Sequence, residues 1–427
     1  MKVLMFGWEF PPHISGGLGT ACYGITKALS AYPNIELTFV VPKTWGDEPA
    51  GRTKLLAASE VDLTKSKIRV ERFNAPFTYL SIQSKMVPYV NPDEYKNRTE
   101  SEQSETIKTK NRTLGNIRFT GKYNPDLMTE IHDFSVVAEY LAKQEKYDII
   151  HAHDWLTFPA AILAKKATGK PFVAHVHATD FDRSGGNANP DVYQIEKAGM
   201  DSADRIITVS DHTRRLLCEK YAIDISKITT VHNGVEPFQS QTITRHKHSK
   251  KKRVTFLGRI TVQKGPRYFI DVARKILERR KDVEFVMAGS GDLLQPMIEQ
   301  VRTYKMTDHF LFPGFITGSR ITDLLNSSDV FIMPSVSEPF GLVPLEAMHC
   351  KVPVIISKQS GVSEVVQHAI KVDFWDTDAM ADAVYSILMR PVLKQMLMNM
   401  GAAEVQKVRW EVTAAKIVNI YDQFIRA

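Results

Sequence analysis

Two glutamates and a glycine surround a predicted helix start, in a pattern whose chemistry suits a phosphorylated ligand. Glu338 comes just before the helix start, and Glu346 lies about one and a half turns inside the helix. The amides of Phe340, Gly341 and Leu342 are predicted to open the helix without internal partners, and the helix dipole adds partial positive charge there. This end can therefore bind a phosphate, which Gly341 lets approach the backbone closely. One carboxylate can then face a sugar beside the phosphates, and the other can accept hydrogen bonds from a ribose.

The flanking residues predict the elements that position these groups. They predict an apolar strand, a polar loop, a short helix and a second apolar strand, with bounds of Val330–Met333, Pro334–Pro339, Gly341–His349 and Val352–Ile356. This succession is typical of a parallel α/β sheet. Two glutamates alone would be better explained as a helix cap and a surface residue, but the S-E-P-F-G-L sequence around the first of them favours a binding site.

The spacing of the two glutamates, with F-G-L between them, resembles the signature of the retaining nucleotide-sugar glycosyltransferases with the GT-B fold. It is similar to the family that includes bacterial glycogen and starch synthases, sucrose synthases and many lipid and surface-glycan glycosyltransferases. Matching motifs recur from residue 7 to residue 410, so the resemblance covers nearly the whole chain. It implies an α/β fold of two Rossmann-like, doubly wound parallel-sheet domains with an interdomain cleft and a C-terminal helix that crosses back to the first domain.

The predicted elements divide the chain into four parts. We expect one domain over residues 1–238, a basic linker over residues 239–252, a second domain over residues 253–403 and a crossover helix over residues 404–427. The resemblance implies that the first domain is the acceptor side and that the second binds the nucleotide sugar. Trp410 and Tyr421 match the closing helix of the family.

The composition fits a globular protein of two or more domains. The chain has 427 residues, 43% of them hydrophobic, and no apolar run reaches the ~18 residues that span a bilayer. Three cysteines without metal-type spacing and the lack of a signal-like start predict a cytoplasmic protein. The net charge of +7 depends on a basic run, Arg245–Arg253. This run could bind nucleic acid or anionic lipid, but without interleaved aromatic residues a solvated linker is the favoured interpretation, with no nucleic-acid partner and no stable membrane insertion.

A glycine-rich turn follows the first predicted strand, Lys2–Phe6. The sequence after it lacks the third glycine of a dinucleotide fingerprint and the ribose-binding acid, which excludes NAD or FAD binding. The resemblance instead implies that Gly16 and Gly17 lie under the donor phosphates. The family's usual lysine before these glycines is missing, because His13-Ile14-Ser15 stands there.

A polar segment over residues 91–125 reads as an insertion. This segment could recognise the acceptor, or it could be a solvent-exposed loop without a function, and the two explanations are equally good.

Three polar residues follow predicted strands of the first domain, where ligand clefts of parallel sheets lie. Asp154 is the fourth residue of H-A-H-D-W and is a candidate acceptor contact, with N-capping of the next helix as the alternative. His177 stands in H-A-T-D, and the resemblance implies that it lies beside the donor sugar's hydroxymethyl group. Asn233 is expected to face the cleft. The nearby D-x-D of Asp180 and Asp182 is common by chance, so we predict no metal requirement, which loss of activity in EDTA and rescue by manganese or magnesium would refute.

The second domain opens with a strand followed by G-R-x4-K-G. Arg259 and Lys264 resemble the family's pair that holds the donor diphosphate, where two cations stabilise the negative charge that develops on the leaving group. The resemblance also implies that Phe315 stacks on the nucleobase and that Ile316 contacts it through its backbone.

These features predict an enzyme that transfers glucose from ADP-glucose or UDP-glucose, with retention, to the end of an α-1,4-glucan. The catalytic candidates are His177, Arg259, Lys264 and Glu338. No cofactor is expected beyond the nucleotide-sugar substrate. Two alternatives stay open: the same fold acting on a surface polysaccharide or another glycan acceptor, and an inactive glycan- or nucleotide-binding protein.

Overall fold

The computed structural model of the chain describes residues 1–14, 16–49, 51–63, 117–121, 123, 127–236 and 251–426. Most of the predicted insertion over residues 91–125 and most of the predicted linker over residues 239–252 lie outside these residues. Within them, no helix is both long and apolar enough to cross a membrane.

The first half of the chain forms a sheet of seven parallel strands in the order β3-β2-β1-β4-β5-β6-β7. The strands are β1 Lys2–Phe6, β2 Glu36–Val41, β3 Lys54–Ala57, β4 Ile149–His153, β5 Phe172–Val176, β6 Arg205–Thr208 and β7 Ile228–Thr230. The helices of this half are α1 Gly17–Leu29, α2 Leu127–Gln144, α3 Phe158–Thr168, α4 Asp180–Ser184, α5 Pro190–Ser202 and α6 Asp211–Tyr221. The strand order reverses between β1 and β4, and ligands of such sheets bind at this switch point.

The second half forms a sheet of six parallel strands in the order β10-β9-β8-β11-β12-β13. The strands are β8 Lys252–Leu257, β9 Val283–Ala288, β10 Phe310–Gly314, β11 Val330–Met333, β12 Val354–Ser357 and β13 Ile370–Val372. The helices are α7 Pro266–Arg279, α8 Leu294–Thr303, α9 Ser319–Asn326, α10 Leu342–His349, α11 Thr377–Met389, α12 Pro391–Val405 and α13 Trp410–Arg426. Here the order reverses between β8 and β11. Two Rossmann-like parallel sheets confirm the predicted fold class.

The last helix, α13, packs on the first half of the chain, as predicted. Gly24 of α1 makes room for the Trp410 ring, because a Cβ at Gly24 would lie 2.2 Å from that ring. Tyr421 is fully buried and hydrogen-bonds through its hydroxyl to Nδ1 of His151. The Thr413 hydroxyl donates to the His232 carbonyl at 2.8 Å. These contacts fix the end of the chain against the first sheet.

The carboxyl ends of the two sheets face each other. Ser337, in the loop after β11, donates a hydrogen bond to Oδ1 of Asp182, which follows β5. The Glu364 carboxylate, after β12, accepts hydrogen bonds at 2.8 Å from the amides of Asp211 and His212, which open α6 after β6. Ligands of parallel sheets bind at this edge, so the residues of a shared site must lie between the two halves.

Candidate functional site

The loop after β8 packs directly against the loop after β11. Gly265 has a φ of +66°, and a Cβ there would lie 2.0 Å from the Pro334 carbonyl oxygen, so only glycine fits this close approach. The Val336 amide donates to the Gln263 carbonyl at 2.9 Å. These two contacts bring the G-R-x4-K-G loop beside the S-E-P-F-G loop.

Three predicted site residues lie together at this junction. The Lys264 ammonium donates to Oε2 of Glu338, and the Ser335 hydroxyl donates to the same oxygen at 3.4 Å. Arg259 donates from Nη2 to Oε1 of Gln263 at 2.9 Å. Glu338 is buried, and the Lys264 side chain is only 18% exposed. A charged ligand that reached Lys264 would therefore compete with Glu338 for the ammonium.

The predicted phosphate site begins one residue later than the sequence indicated. Helix α10 starts at Leu342, with Gly341 as its N-cap at a φ of +102°, so Phe340 lies before the helix. Phe340 is buried, and its carbonyl accepts from the Val362 amide at 2.7 Å. Among the described residues, the amides of Gly341, Leu342 and Val343 donate no hydrogen bond. They are the donors that a phosphate could use.

Glu346 lies one turn inside α10 with a carboxylate that stays without a protein partner. No hydrogen bond or ion pair of this carboxylate occurs within the described part of the chain, although the residue is only partly accessible. Burial raises the pKa of Glu346 to about 7. A desolvated carboxylate without a partner gains from ligand hydroxyl groups that donate to it.

Phe315 and Ile316 follow β10 at the same edge of the second sheet. The Phe315 side chain is 45% exposed, whereas Ile316 is buried. An exposed ring can be reached by a ligand, and the stacking of Phe315 and the backbone contact of Ile316 with a base stay predictions.

Four histidines lie close together near the carboxyl ends of two neighbouring strands of the first sheet. His151 and His153 belong to β4, His175 belongs to β5, and His177 directly follows β5. His153 Nδ1 lies 2.9 Å from His177 Nε2, and His151 Nε2 lies 3.2 Å from His175 Nδ1. The rings of His175 and His177 stack with centroids 4.2 Å apart, as expected for alternate residues on one face. Burial lowers the pKa of His151 and of His177 to about 3, so both rings are neutral at neutral pH.

Asp154 holds the backbone that follows β5. It adopts a φ of +59°, and its Oδ1 accepts from the amides of His177 at 2.6 Å and Ala178 at 3.3 Å. Oδ2 accepts from Nη2 of Arg183 at 3.2 Å. Burial raises the pKa of Asp154 to about 6, against the opposing effects of Arg183 and the two amides. The capping alternative is wrong, because Thr157 is the N-cap of α3, and the buried carboxylate positions His177 rather than reaching into the cleft.

The two aspartates of D-x-D are both engaged within the protein. Asp180 accepts from the Asn189 amide at 2.6 Å. Asp182 accepts at 2.9 Å from the amide and the hydroxyl of Thr179 in the capping box of α4, and its other oxygen accepts from Ser337. Their geometry gives them structural roles, and the absence of a metal requirement stays a prediction.

The remaining predicted residues lie at the first-domain edge. Gly16 is the N-cap of α1 in an extended conformation, and Gly17 is the first helical residue. A Cβ at Gly17 would meet no atom of the described residues within 4 Å, so these residues leave open space beside the helix start. Asn233 is buried, and its Oδ1 has no hydrogen-bond partner among the described residues.

Three residues that the sequence did not single out support the site. Gln263 binds Arg259 and orients the β8 loop, Arg183 fixes Asp154, and Glu364 joins the two halves. Gln263 lies inside the recognised R-x4-K motif, so its position could have been noticed. Arg183 and Glu364 follow no local pattern.

Comparisons with known proteins agree with this geometry. A family model described as Glycosyltransferase Family 4 matches residues 102–238, and one described as Glycosyl transferases group 1 matches residues 239–404. An uncharacterized glycosyltransferase of Methanocaldococcus jannaschii is 30% identical over 296 residues, which make up 65% of this chain and 75% of that protein. The glycogen synthase of Mycobacterium tuberculosis is 23% identical over 438 residues, 99% of this chain and 94% of that enzyme.

Solved structures show the same fold over the whole chain. Sucrose-phosphate synthase from Thermosynechococcus elongatus superposes with a TM-score of 0.73 at 18% identity, covering 100% of this chain and 99% of that one. The two proteins share the arrangement of the two sheets, which is the GT-B fold. The sequence relatives, the family models and the fold together lead to one conclusion: the chain belongs to the group 1 family of glycosyltransferases.

Proposed function

We propose that this glycosyltransferase moves glucose from ADP-glucose or UDP-glucose, with retention at C1, to the end of an α-1,4-glucan. The observation that carries the proposal is the junction where Lys264 binds Glu338 and Arg259 binds the neighbouring Gln263, close in sequence to the start of α10, whose first amides donate no hydrogen bond among the described residues. Similarity to the M. tuberculosis glycogen synthase along 99% of the chain supports the glucan acceptor. Residues 1–238 would then bind the acceptor and residues 253–403 the donor, with residues 404–427 closing back on the first domain.

In this proposal, Arg259 and Lys264 stabilise the leaving diphosphate. Cleavage of the bond between C1 and the phosphate oxygen leaves the bonding electron pair on that oxygen, so the terminal phosphate gains a further negative charge. Arg259 and Lys264 stabilise this charge together with the amides of Gly341 and Leu342, and each such contact is worth about 3–4 kcal/mol in the transition state. Gln263 keeps Arg259 oriented before the donor arrives. In this scheme Lys264 moves from the Glu338 carboxylate to a phosphate oxygen.

The arrangement favours substitution on one face of the sugar. Once Lys264 has moved to a phosphate oxygen, the Glu338 carboxylate can orient and electrostatically support the sugar ring, and the proposed mechanism gives it no role as a covalent nucleophile. The leaving phosphate then helps to take the proton of the acceptor hydroxyl as the new C1–O bond forms on the face from which the diphosphate departs. His177, held neutral by burial, is assigned to the donor's hydroxymethyl group.

The rest of the donor is assigned to residues around α10 and β10. Glu346 accepts hydrogen bonds from the ribose, Phe315 stacks on the base, and Ile316 contacts the base through its backbone. Gly16 and Gly17 lie on the opposite side of the cleft, where the start of α1 adjoins open space that the diphosphate can approach. Asn233 offers an unpaired carbonyl oxygen to a substrate hydroxyl.

The proposal includes no metal, no nucleic-acid partner and no stable membrane insertion. A nucleotide-sugar substrate and three cysteines that stay free of disulfides fit a cytoplasmic location.

A donor-by-acceptor activity matrix tests this function. The purified chain is incubated with ADP-glucose, UDP-glucose or UDP-galactose, each with glycogen, maltoheptaose or no acceptor, and nucleoside diphosphate release is measured. We expect release that requires both a glucosyl donor and a glucan, with an α-configured product by NMR. Release only with another glycan acceptor would make the chain a surface-polysaccharide transferase. Binding of nucleotide without release under any condition would indicate a non-catalytic binding protein.

A further inference from the structure

A tryptophan that the proposed reaction does not use is exposed at the carboxyl edge of the second sheet. Trp375 lies in the loop between β13 and α11 and is 59% exposed, more than any other aromatic side chain of the described residues. Tryptophan side chains are largely buried in most proteins, as Trp8, Trp155 and Trp410 are here. An indole ring that stays in contact with water at this edge is a candidate binding surface.

An aromatic cluster supports the Trp375 ring. The Phe374 ring meets it edge to face, with ring centroids 4.8 Å apart and an interplanar angle of 84°. Phe374 also packs against Tyr268, near the start of α7, at a centroid distance of 5.2 Å. Tyr268 lies four residues after Lys264, so the cluster joins the loop after β13 to the segment that carries Lys264. The indole is therefore held by protein contacts while more than half of it stays accessible.

Hydrogen bonds fix the backbone around Trp375 before any ligand binds. The Asp373 carboxylate accepts from Nε2 of Gln359 at 3.0 Å, and the Phe374 amide donates to Oε1 of the same side chain at 3.3 Å. The Trp375 carbonyl accepts from the Thr377 amide at 3.0 Å. A ligand that lies on the indole therefore requires little ordering of the protein, which lowers the free-energy cost of binding.

Gln359 also connects this loop to the candidate site. Its carbonyl accepts from the Glu338 amide at 2.9 Å, while its side chain holds the loop after β13. The loops after β11, β12 and β13 are thus neighbours along one edge, in the order of their strands in the sheet. Trp375 lies at the outer end of this edge, outside the junction of Lys264 and Glu338.

The charges around Trp375 indicate the chemistry of its ligand. Three carboxylates lie within three residues of it, those of Asp373, Asp376 and Asp378. Two of them pair with lysines, and Asp376 accepts from the Ala379 amide at the start of α11. Acidic surroundings repel nucleic acid and anionic lipid surfaces. Carboxylates accept hydrogen bonds from hydroxyl groups, so an uncharged ligand with several hydroxyl groups suits this surface.

A pyranose ring combines the two properties that this surface requires. The hydrogen atoms on its ring carbons are slightly positive and pack against the negative face of an aromatic ring. The hydroxyl groups at the rim of the ring can donate hydrogen bonds to neighbouring carboxylates. A tryptophan flanked by carboxylates on a fixed loop therefore suits a hexose better than a wholly apolar ligand.

We propose that Trp375 is the stacking platform of a glucan-binding site separate from the site of transfer. One hexose ring of a long α-glucan lies flat on the indole, with its hydroxyl groups directed to Asp376. The choice of an α-glucan rests on the proposed function, in which such a chain is the acceptor. A chain held at Trp375 has a higher effective concentration at the neighbouring transfer site, so this contact should lower the KM for glycogen.

Iodide quenching of tryptophan fluorescence tests the contact between the glucan and Trp375. The measurement uses the Trp45→Phe variant, because Trp45 and Trp375 are the two exposed tryptophans of the chain. In this variant, iodide reaches mainly Trp375. We expect maltoheptaose to reduce the quenching constant by at least half at saturation. Quenching that maltoheptaose leaves unchanged would overturn the proposal.

Electrophoresis in native gels that contain glycogen measures affinity without a donor. For Trp375→Ala we expect the dissociation constant for glycogen to rise at least fivefold, and the KM for glycogen to rise with it. Tyr304→Ala is the matched control, since Tyr304 is 40% exposed and lies between α8 and β10, at the amino-end edge of the same sheet. Circular dichroism shows whether both variants are folded. Equal affinities of the two variants for glycogen would overturn the proposal.

The outcomes separate this site from the proposed function. Transfer to glycogen with the same KM in Trp375→Ala and in the unmodified chain would refute the Trp375 site and leave the function intact. If the chain transfers no glucose to glycogen, the quenching and gel measurements still decide whether Trp375 binds a glucan.

Discussion

The carboxyl-end edges of the two sheets, which face each other, differ in how their charged side chains are paired. In the second half, the loop that carries Arg259 and Lys264 packs against the loop before α10, whose first amides donate no hydrogen bond among the described residues, and the Glu346 carboxylate finds no partner among them either. In the first half, Asp154 and Arg183 bind each other and the backbone, and the nearby histidine rings are buried, with His177 the most exposed at 8% and neutral because burial lowers its pKa. One edge therefore suits a charged diphosphate, and the other suits the uncharged hydroxyl groups of a sugar.

Removal of a cation from the charged edge should have the largest effect on activity. For Lys264→Ala we expect kcat to fall roughly 10²- to 10³-fold, because the lost contact strengthens only as the diphosphate leaves. The affinity for the uncleaved nucleotide-sugar donor, in which this charge has not yet developed, should change much less. The control is Lys275→Ala, whose ammonium pairs with Asp378 on the outer surface. Near-normal turnover of Lys264→Ala by steady-state kinetics would remove its catalytic role.

At the edge of the first sheet, removal of a cation should mainly lower the free energy of unfolding. Arg183 is 7% exposed and lies between the carboxylates of Asp154 and Glu196, so Arg183→Met leaves two buried acids without their cation. We expect a loss of about 3–5 kcal/mol in the free energy of unfolding, measured by urea titration. Arg214→Met, which breaks an exposed pair with Asp211, should cost less than about 1 kcal/mol. Equal losses in the two variants would contradict the buried network.

Glu346 should make ligand binding at the edge of the second sheet depend on pH. Its pKa of about 7 means that the carboxyl group is protonated below neutral pH and becomes a pure hydrogen-bond acceptor above it. Nucleoside diphosphate affinity should therefore rise by up to roughly tenfold between pH 6 and pH 8. The ligand also titrates, so Glu346→Gln, measured by calorimetry at both pH values, gives the reference. Identical pH profiles for the two proteins would exclude Glu346 as a titrating contact.

Weakening the Glu364 contact between the two edges should have the smallest effect on activity. Glu364 accepts from two amides of α6 and from Nε2 of His232 at 2.8 Å, and these hydrogen bonds hold the pKa of Glu364 below its usual value although burial acts to raise it. For Glu364→Gln we expect a few-fold rise in the acceptor KM and faster hydrogen exchange at the start of α6.

A matched control exists for this change. Glu404 accepts from the amides of Gln367 and His368 at 2.6 and 2.9 Å, and all three residues lie in the second half of the chain. Glu404→Gln should therefore leave exchange in α6 and the acceptor KM unchanged. A similar response in both variants would indicate general loosening rather than a role of Glu364 between the two halves.

Elements with strong apolar patterns were predictable from the sequence. Strands β1 and β11 have the bounds that their residues predicted. Strands β3 and β13 were missed, because four and three residues at the edge of a sheet carry too little pattern to separate them from loop. The start of α10 differed by its glycine, which caps the helix at positive φ instead of opening it.

The site was predictable where its residues share a local motif. Arg259, Lys264 and Glu338 lie in two short motifs, and the structure brings these motifs together. The positioning role of Asp154 depends on Arg183, 29 residues later in the chain, and Glu364 meets α6 across 153 residues. Contacts of this kind arise from tertiary packing and leave no periodic pattern in the sequence.

A crystal structure with bound nucleoside diphosphate would test the central claim most directly. The account predicts that the diphosphate lies against Arg259, Lys264 and the amides of Gly341 and Leu342, with Lys264 released from Glu338. A diphosphate bound elsewhere, with the ion pair of Lys264 and Glu338 still intact, would contradict it.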